Sequence, residues 1–245
     1  MSITLIIRCI LLTTLLSSMV LFAAYAQKKL QEDTIKTSGG DLKMTFIAHG
    51  TLMFTYEGKV IHIDPVSMFG TDYASLPKAD LILITHEHGD HLDPKTIQAI
   101  STDNTVIIAN QASAKSLPAA KVMKNGDTQT ILGITIEAVP AYNLEKPFHP
   151  KGNGNGYVLT FGDKRVYVAG DTENVPEIKA LKNIDVAFLP MNQPYTMTPA
   201  QVADVAKAMR PKVLYPYHFG QTDPNELVNL LKGEKGIDVR IRDLQ

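Results

Sequence analysis

Apolar and polar residues follow one another along this chain in two rounds of the same order. "KMTFIA" at 43–48 and "TLMFTY" at 51–56 are β-type runs, and Glu57-Gly58 turns the second into "KVIHID" at 59–64. "DLILIT" at 80–85 is apolar without a break between its ends, as expected of a strand covered on both faces. Asp93-Pro94 then opens a helix, with Asp as N-cap and Pro in the first helical position, and "TVIIA" at 105–109 is a short strand. The second round starts with "GYVLTF" at 156–161, which turns at Gly162-Asp163 into "KRVYVAGD" at 164–171. "DVAFLP" at 185–190 is its buried run. Thr198-Pro199 opens an amphipathic helix with Val202, Val205 and Met209 on one side, and "KVLYP" at 212–216 is the closing strand. Asp80 to Pro94 and Asp185 to Pro199 are both separations of 14 residues. Each round reads as hairpin, buried strand, Pro-capped helix, strand. Two such β-rich halves packed face to face, with their helices outside, predict an α/β protein of αββα four-layer sandwich form.

The beginning of the chain adds a separate element. Residues 1–26 carry a single charge, Arg8, and close on Ala24-Tyr25-Ala26, the form of a secretory signal peptide with an A-x-A cleavage site. An uncleaved membrane anchor is the alternative that the long apolar stretch leaves open. Cleavage after Ala26 predicts an exported chain, periplasmic or secreted, with 219 residues and no remaining membrane span. Residues 27–41 are polar and contain Gly39-Gly40; they are expected to form a short tether ahead of a single domain at 42–245.

Composition then removes whole classes of function. Cys9 is the only cysteine, so the mature chain has no thiolate ligand, disulfide or cysteine nucleophile, which suits an oxidising compartment. The formal charge is −1, so no basic footprint for nucleic acid or anionic membranes exists, and a small-molecule substrate is the expected partner. No G-x-S-x-G motif is present. "KGNGNG" at 151–156 is followed by a strand instead of a helix and lacks a P-loop ending, so it reads as a flexible loop.

Three of the seven histidines fall within "THEHGDH" at 85–91. Imidazoles and carboxylates are costly to bury without partners, so packing does not account for them. His86 and His88 point the same way on an extended segment, while Asp90 and His91 come where the strand gives way to the helix start. Neutral imidazoles with carboxylates are what a borderline divalent ion such as zinc accepts when no thiolate is available.

"THEHGDH" resembles the H-x-H-x-D-H motif of the metallo-β-lactamase superfamily, whose fold is the αββα sandwich. The resemblance covers nearly all of the mature chain: "VIHIDP" at 60–65 matches the family's early strand ending in Asp, "YVAGDT" at 167–172 its later Gly-Asp strand end, and "YPYHFG" at 215–220 its last histidine. More narrowly, "PAYN", "HPKGNGNGY", "VYVAGDT", "LPMNQPYTM" and "YPYH" resemble the branch with ascorbate-6-phosphate lactonase and the N-acyl-phosphatidylethanolamine phospholipase D type. Carried over by residue, the resemblance implies one metal on His86, His88 and a third histidine. It implies a second metal on Asp90, His91 and His218, with Asp171 bridging. The expected cofactor is two divalent ions, zinc before Mn2+ or Fe2+. Many relatives have a histidine soon after a mid-chain proline, but here Pro140 leads into "AYN", and the first histidine is His149. His149 is assigned as the third ligand, with Asn143 or water as the alternative. Asp64 resembles the family's carboxylate behind the ligands. Thr172 and His49 are expected there too, His49 having a near-surface position as its alternative. His62 reads as structural, and Tyr195, Met197 and Tyr217 as packing or substrate contacts. The implied activity is hydrolysis by a metal-bridging hydroxide, with Asp90 doubling as the acid. A lactone, ester or phosphodiester is the expected substrate, since Asp171 stands where some β-lactamases place cysteine. A β-lactam hydrolase and a non-catalytic metal-binding or sensing protein are the alternatives.

Overall fold

The structure, a computed structural model, describes residues 29–244; the signal-peptide reading of residues 1–26 lies outside them. Among the described residues no helix is long and apolar enough to cross a membrane. Fourteen strands are present among these residues, and they divide into two seven-stranded sheets in sequence order. The first holds β1 (Gln31–Thr37), β2 (Gly40–Ala48), β3 (Thr51–Tyr56), β4 (Lys59–Ile63), β5 (Leu81–Leu83), β6 (Val106–Ala109) and β7 (Lys121–Val122). The second holds β8 (Thr128–Ile131), β9 (Ile134–Ala141), β10 (Gly154–Phe161), β11 (Lys164–Val168), β12 (Val186–Pro190), β13 (Val213–Tyr217) and β14 (Asp238–Val239).

The two sheets repeat one another strand for strand. Pairing is antiparallel from β1 to β4 and parallel from β4 to β7. It is likewise antiparallel from β8 to β11 and parallel from β11 to β14. The equal spacing in the sequence has an atomic counterpart. The Asp80 carboxylate accepts from the Val60 amide, and the Asp185 carboxylate accepts from the Arg165 amide, so each acid fastens its buried strand to the preceding hairpin.

Helices flank the sheets: α1 (Pro94–Ile100), α2 (Pro176–Lys179), α3 (Pro199–Met209) and α4 (Pro224–Leu230). Asp93 caps α1 by accepting from the Lys95 and Thr96 amides, and Thr198 forms a full capping box with Gln201 at α3. The "DLILIT" strand shows why it is apolar throughout. Leu81 and Leu83 enter the core between the sheets, whereas Ile82 and Ile84 pack with Ile97 and Ile100 of α1 on the outer face. Between the sheets, Phe188 of β12 meets Phe46 of β2 and Phe54 of β3 at ring-centre separations of 6.1 and 5.8 Å. The predicted αββα sandwich is the fold observed.

The expected tether at 27–41 needs correction. Gln31–Thr37 is strand β1, paired in register with β2 from Gln31↔Phe46 to Thr37↔Gly40, so the domain begins well before residue 42. Its hydrophobicity is low because one face meets solvent and the other holds an ion cluster. Asp33 accepts from Arg242, Arg240 and the Tyr215 hydroxyl, while Ile35 packs on the core.

Candidate metal centre

The site lies where β2, β4, β5, β11 and β13 end, on one edge shared by both sheets. Ligands in open α/β sheets gather at the carboxyl ends of the strands, and the parallel strands here obey that rule. The motif residues follow β5: the chain turns after Thr85, and His91 donates its backbone N–H to the His88 carbonyl. Asp171 follows β11 through Gly170, whose φ is +64°. A Cβ at Gly170 would stand 2.9 Å from the Asn155 carbonyl oxygen and 3.0 Å from Thr85, so both conformation and space require glycine. His218 follows β13.

These pieces bring together every residue that the sequence assigned to metal. Three groups of side chains have ligand atoms within 4.8 Å of one another: His86, His88 and His149; His86, His91 and Asp171; and His49, Asp90 and His218. His86 Nε2 is 3.1 Å from His88 Nδ1, and His149 Nε2 is 3.2 Å from Asp171 Oδ2. His91 and His218 place their Nε2 atoms 3.5 and 3.4 Å from Asp171 Oδ1. Asp171 therefore turns one oxygen toward each half of the cluster. His91 Nε2, His149 Nε2, His218 Nε2 and Asp171 Oδ1 are all buried and make no hydrogen bond. Orphaned buried polar atoms are costly, and four of them aimed at one spot fit divalent cations.

The surrounding hydrogen bonds fix which imidazole nitrogen faces inward. Asp64 Oδ2 accepts from His91 Nδ1 at 2.8 Å, leaving the His91 Nε2 lone pair toward the cluster. Asp64 also accepts from the Thr85 amide and hydroxyl at 2.8 and 2.7 Å. Asn143 Oδ1 accepts from both His149 Nδ1 (2.8 Å) and the His149 amide (2.9 Å). Asn143 is thus the orienting partner of His149 and not its substitute. His149 itself is buried, which excludes the exposed-loop alternative.

His49 takes a closer place than expected. Its Nε2 is 3.4 Å from Asp90 Oδ2, the oxygen that also faces His218 Nε2 at 3.4 Å. The His49 and His218 rings meet at a 43° tilt with centres 3.8 Å apart, and the His218 amide donates to the His49 carbonyl. Both residues have positive φ, +52° and +47°, a conformation histidine adopts more readily than most residues. Gly50 beside them is glycine because a Cβ would lie 2.9 Å from His91 Cε1. Thr172 touches no ligand side chain: its hydroxyl accepts from the Tyr142 amide and donates to nearby carbonyls, tying the His149 loop to the β11 end. Glu173 fastens the same loop through the Leu144 amide and Lys146. His62 turns away to the Pro77 carbonyl, and burial pushes it down to about 4. Tyr217 is a buried support whose hydroxyl accepts from the Gly170 amide, and Met197 is core; Tyr195 alone of that trio lies at the site mouth.

Electrostatics match this arrangement. Burial, with the adjoining His91 ring, holds His86 well below the usual imidazole range, so it is neutral. Burial opposes the charge of Asp171, but the imidazoles of His218, His91, His149 and His86 around it outweigh that and keep the carboxyl well below its usual range. His91 is pushed up to about 9: burial works against its proton, and Asp171, Asp64 and Asp90 more than offset that. The acids around His91 thus favour positive charge at that point.

Comparison with known proteins agrees with this geometry. A family model described as a beta-lactamase superfamily domain matches residues 43–218, which span most of the strands and every site residue. A UPF0173 metal-dependent hydrolase of Thermus thermophilus is 32% identical over 200 residues, 75% of this chain and 86% of that protein. Another, from Pyrococcus horikoshii, is 32% identical over 213 residues, 79% of this chain and 93% of its own length. Among solved structures, a protein of Parabacteroides distasonis named as a metal-dependent hydrolase is 57% identical, with a TM-score of 0.86. It is covered over 100% of its length and covers 89% of this one. The chain belongs to the metallo-β-lactamase superfamily and is a metal-dependent hydrolase.

Proposed function

We propose that this hydrolase is exported, holds two divalent ions, zinc foremost, and cleaves an ester, lactone or phosphodiester bond. His86, His88 and His149 would hold one ion; Asp90, His91 and His218 would hold the other, with Asp171 between them and His49 against Asp90. When bound, such ions provide hydroxide at neutral pH and polarise the attacked oxygen. The observation that carries the reading is the convergence of four orphaned buried atoms, three imidazole nitrogens and one Asp171 oxygen.

The protein's own part is orientation and proton handling. Asp64 and Asn143 present the Nε2 atoms of His91 and His149. Asp90 lines the open cleft with His88, Asn192 and His218. Burial opposes its charge, and His218 and His49 override that and hold it ionised. Its place in the cleft lining, beside the ligand imidazoles, makes it the group we assign to relay a proton toward the leaving group. Elemental analysis of metal-replete protein should give close to two ions per chain. Asp171→Ala should abolish turnover of a chromogenic ester, a phosphodiester and a cephalosporin while near-UV circular dichroism stays native. One ion or fewer, or near-normal turnover by the variant, overturns the two-ion assignment.

A further inference from the structure

The mouth of the cleft is apolar and lacks a cation. Eight large apolar side chains are exposed among the described residues, and five of them lie on segments beside the site: Met68, Phe69, Leu144, Phe148 and Tyr195. Phe148 and Tyr195 line the cleft and meet edge to face with ring centres 4.9 Å apart. On the side of His49, the Phe69 ring lies 4.5 Å from the imidazole. The Asn143 amide holds Tyr195 by donating to its carbonyl, so the aromatic pair is fixed by the residue that orients His149. Exposed apolar patches of this sort mark a binding surface, and the cleft they border has a volume of about 330 Å³, within the range of small-molecule sites.

The cleft is lined by His88, Asp90, His149, Asp171, Asn192 and His218 besides the two aromatics, with no lysine or arginine among them. The two lysines on the loop that carries His149 are engaged elsewhere. Lys146 pairs with Glu173 at 2.9 Å, and Lys151 lies near Glu177 and over the Tyr142 ring. A substrate with a remote carboxylate or phosphate, such as a β-lactam acid or a sugar phosphate, would find no side chain to pair with that charge. The Asn192 carboxamide, beside Tyr195 in the lining, offers a neutral polar contact instead.

Building on the hydrolase reading above, we infer that the substrate is an uncharged carboxylic ester or lactone whose hydrocarbon substituent lies against Phe148 and Tyr195. Water adds a hydroxyl to the acyl carbon, the carbon–oxygen bond breaks, and the alcohol leaves with the remaining proton. Covering one methylene changes kcat/KM about fourfold, so two to three covered methylenes correspond to a gain of about 16- to 60-fold.

The test uses the zinc-loaded full chain with para-nitrophenyl acetate, para-nitrophenyl hexanoate and bis(para-nitrophenyl) phosphate. The hexanoate should exceed the acetate in kcat/KM by about tenfold or more, mainly through KM. Phe148→Ala and Tyr195→Ala should shrink that ratio several-fold. Leu132→Ala, an exposed apolar change at the far end of β9, should keep it. Calorimetric titration gives a readout independent of turnover: heptylcyclopentanone should bind at least tenfold more tightly than cyclopentanone, to zinc-loaded and zinc-free protein alike. Equal binding of the two ketones, no chain-length effect, or faster turnover of the phosphodiester than of the hexanoate overturns the substrate class. Turnover without metal would instead overturn the metal-dependent reading on which it rests.

Discussion

Asp64 allows fold stability and metal binding to be separated by two substitutions at one position. Its side chain is fully buried and accepts three hydrogen bonds, from the Thr85 amide, the Thr85 hydroxyl and His91 Nδ1. Asp64→Ala removes all three acceptors. The Thr85 hydroxyl can turn to His86 Nδ1, 3.0 Å away, which leaves two orphaned donors at about 1–3 kcal/mol each. Position 64 also has φ +47°, which adds about 1 kcal/mol for alanine. The sum is about 3–7 kcal/mol, equivalent to a fall in Tm of about 6–28 °C for a chain of this size. Asp64→Asn behaves differently. Asparagine tolerates positive φ, and its carbonyl can still accept from the Thr85 amide, so the fold should lose only about 1–2 kcal/mol. Its amide then faces His91 Nδ1, and pairing with it requires the proton to sit on Nε2, the atom turned toward Asp171. A protonated Nε2 cannot bind metal, so zinc affinity at the Asp90–His91–His218 position should fall about 10- to 100-fold or more. Scanning calorimetry of the metal-free variants and zinc titration against a chelating dye read the two effects apart. An alanine variant melting within about 3 °C of wild type, or an asparagine variant with wild-type zinc affinity, would refute the tautomer argument.

Other outcomes follow from the same geometry. His149→Ala should lose about one ion per chain under mild chelation, and Asn143→Ala should weaken that ion about 10- to 100-fold; unchanged stoichiometry in the first would make the loop histidine a bystander. Burial opposes the charge of Asp33, but Arg242, Tyr215 and Arg240 outweigh it and hold its carboxyl below the usual value. Its stabilising contribution is therefore present above the ordinary carboxylate range and lost as pH falls through the lowered one, so Asp33→Asn should cost stability at neutral pH and little at about pH 2. Urea unfolding at both pH values measures this, and an equal loss at each would count against it. Export predicts a mature chain beginning at Gln27; N-terminal sequencing that still found Met1 on membrane-bound protein would favour an anchor instead.

The sandwich was legible because its signal is duplicated. A continuous apolar strand, a Pro-capped helix and a fixed Asp-to-Pro spacing occur twice, and one period-2 pattern decides which residues face the sheet interface and which the helix. The motif residues were legible because clustered imidazoles and acids have no packing rationale. Strand β1 was not, since its inward residues Asp33 and Thr37 are polar, and Asp33 is satisfied by Tyr215, Arg240 and Arg242 near the other end of the chain. Neither was the depth of His49, which is set by its backbone bonds to Leu244 and His218, contacts without a local signature. The sequence leaves Asn143 open as a ligand because proximity along the chain cannot tell a metal ligand from the group that aims it. The apolar mouth has no sequence signature because Phe148 and Tyr195 are far apart along the chain and meet only in three dimensions.

The duplicated architecture divides the centre between two polypeptide halves. His49, His86, His88, Asp90 and His91 come from the first sheet's segments; His149, Asp171 and His218 come from the second's. Few backbone bonds join the halves beside the centre, the Asn155 amide donating to the Thr85 carbonyl being one of them. A nascent chain cannot complete the full ligand set until residue 218 has been made. Metal held there would act as a latch across the seam between the halves, raising the stability of the joined form by mass action. Metal scarcity would therefore be felt first as a loosening between the halves, before either sheet comes apart.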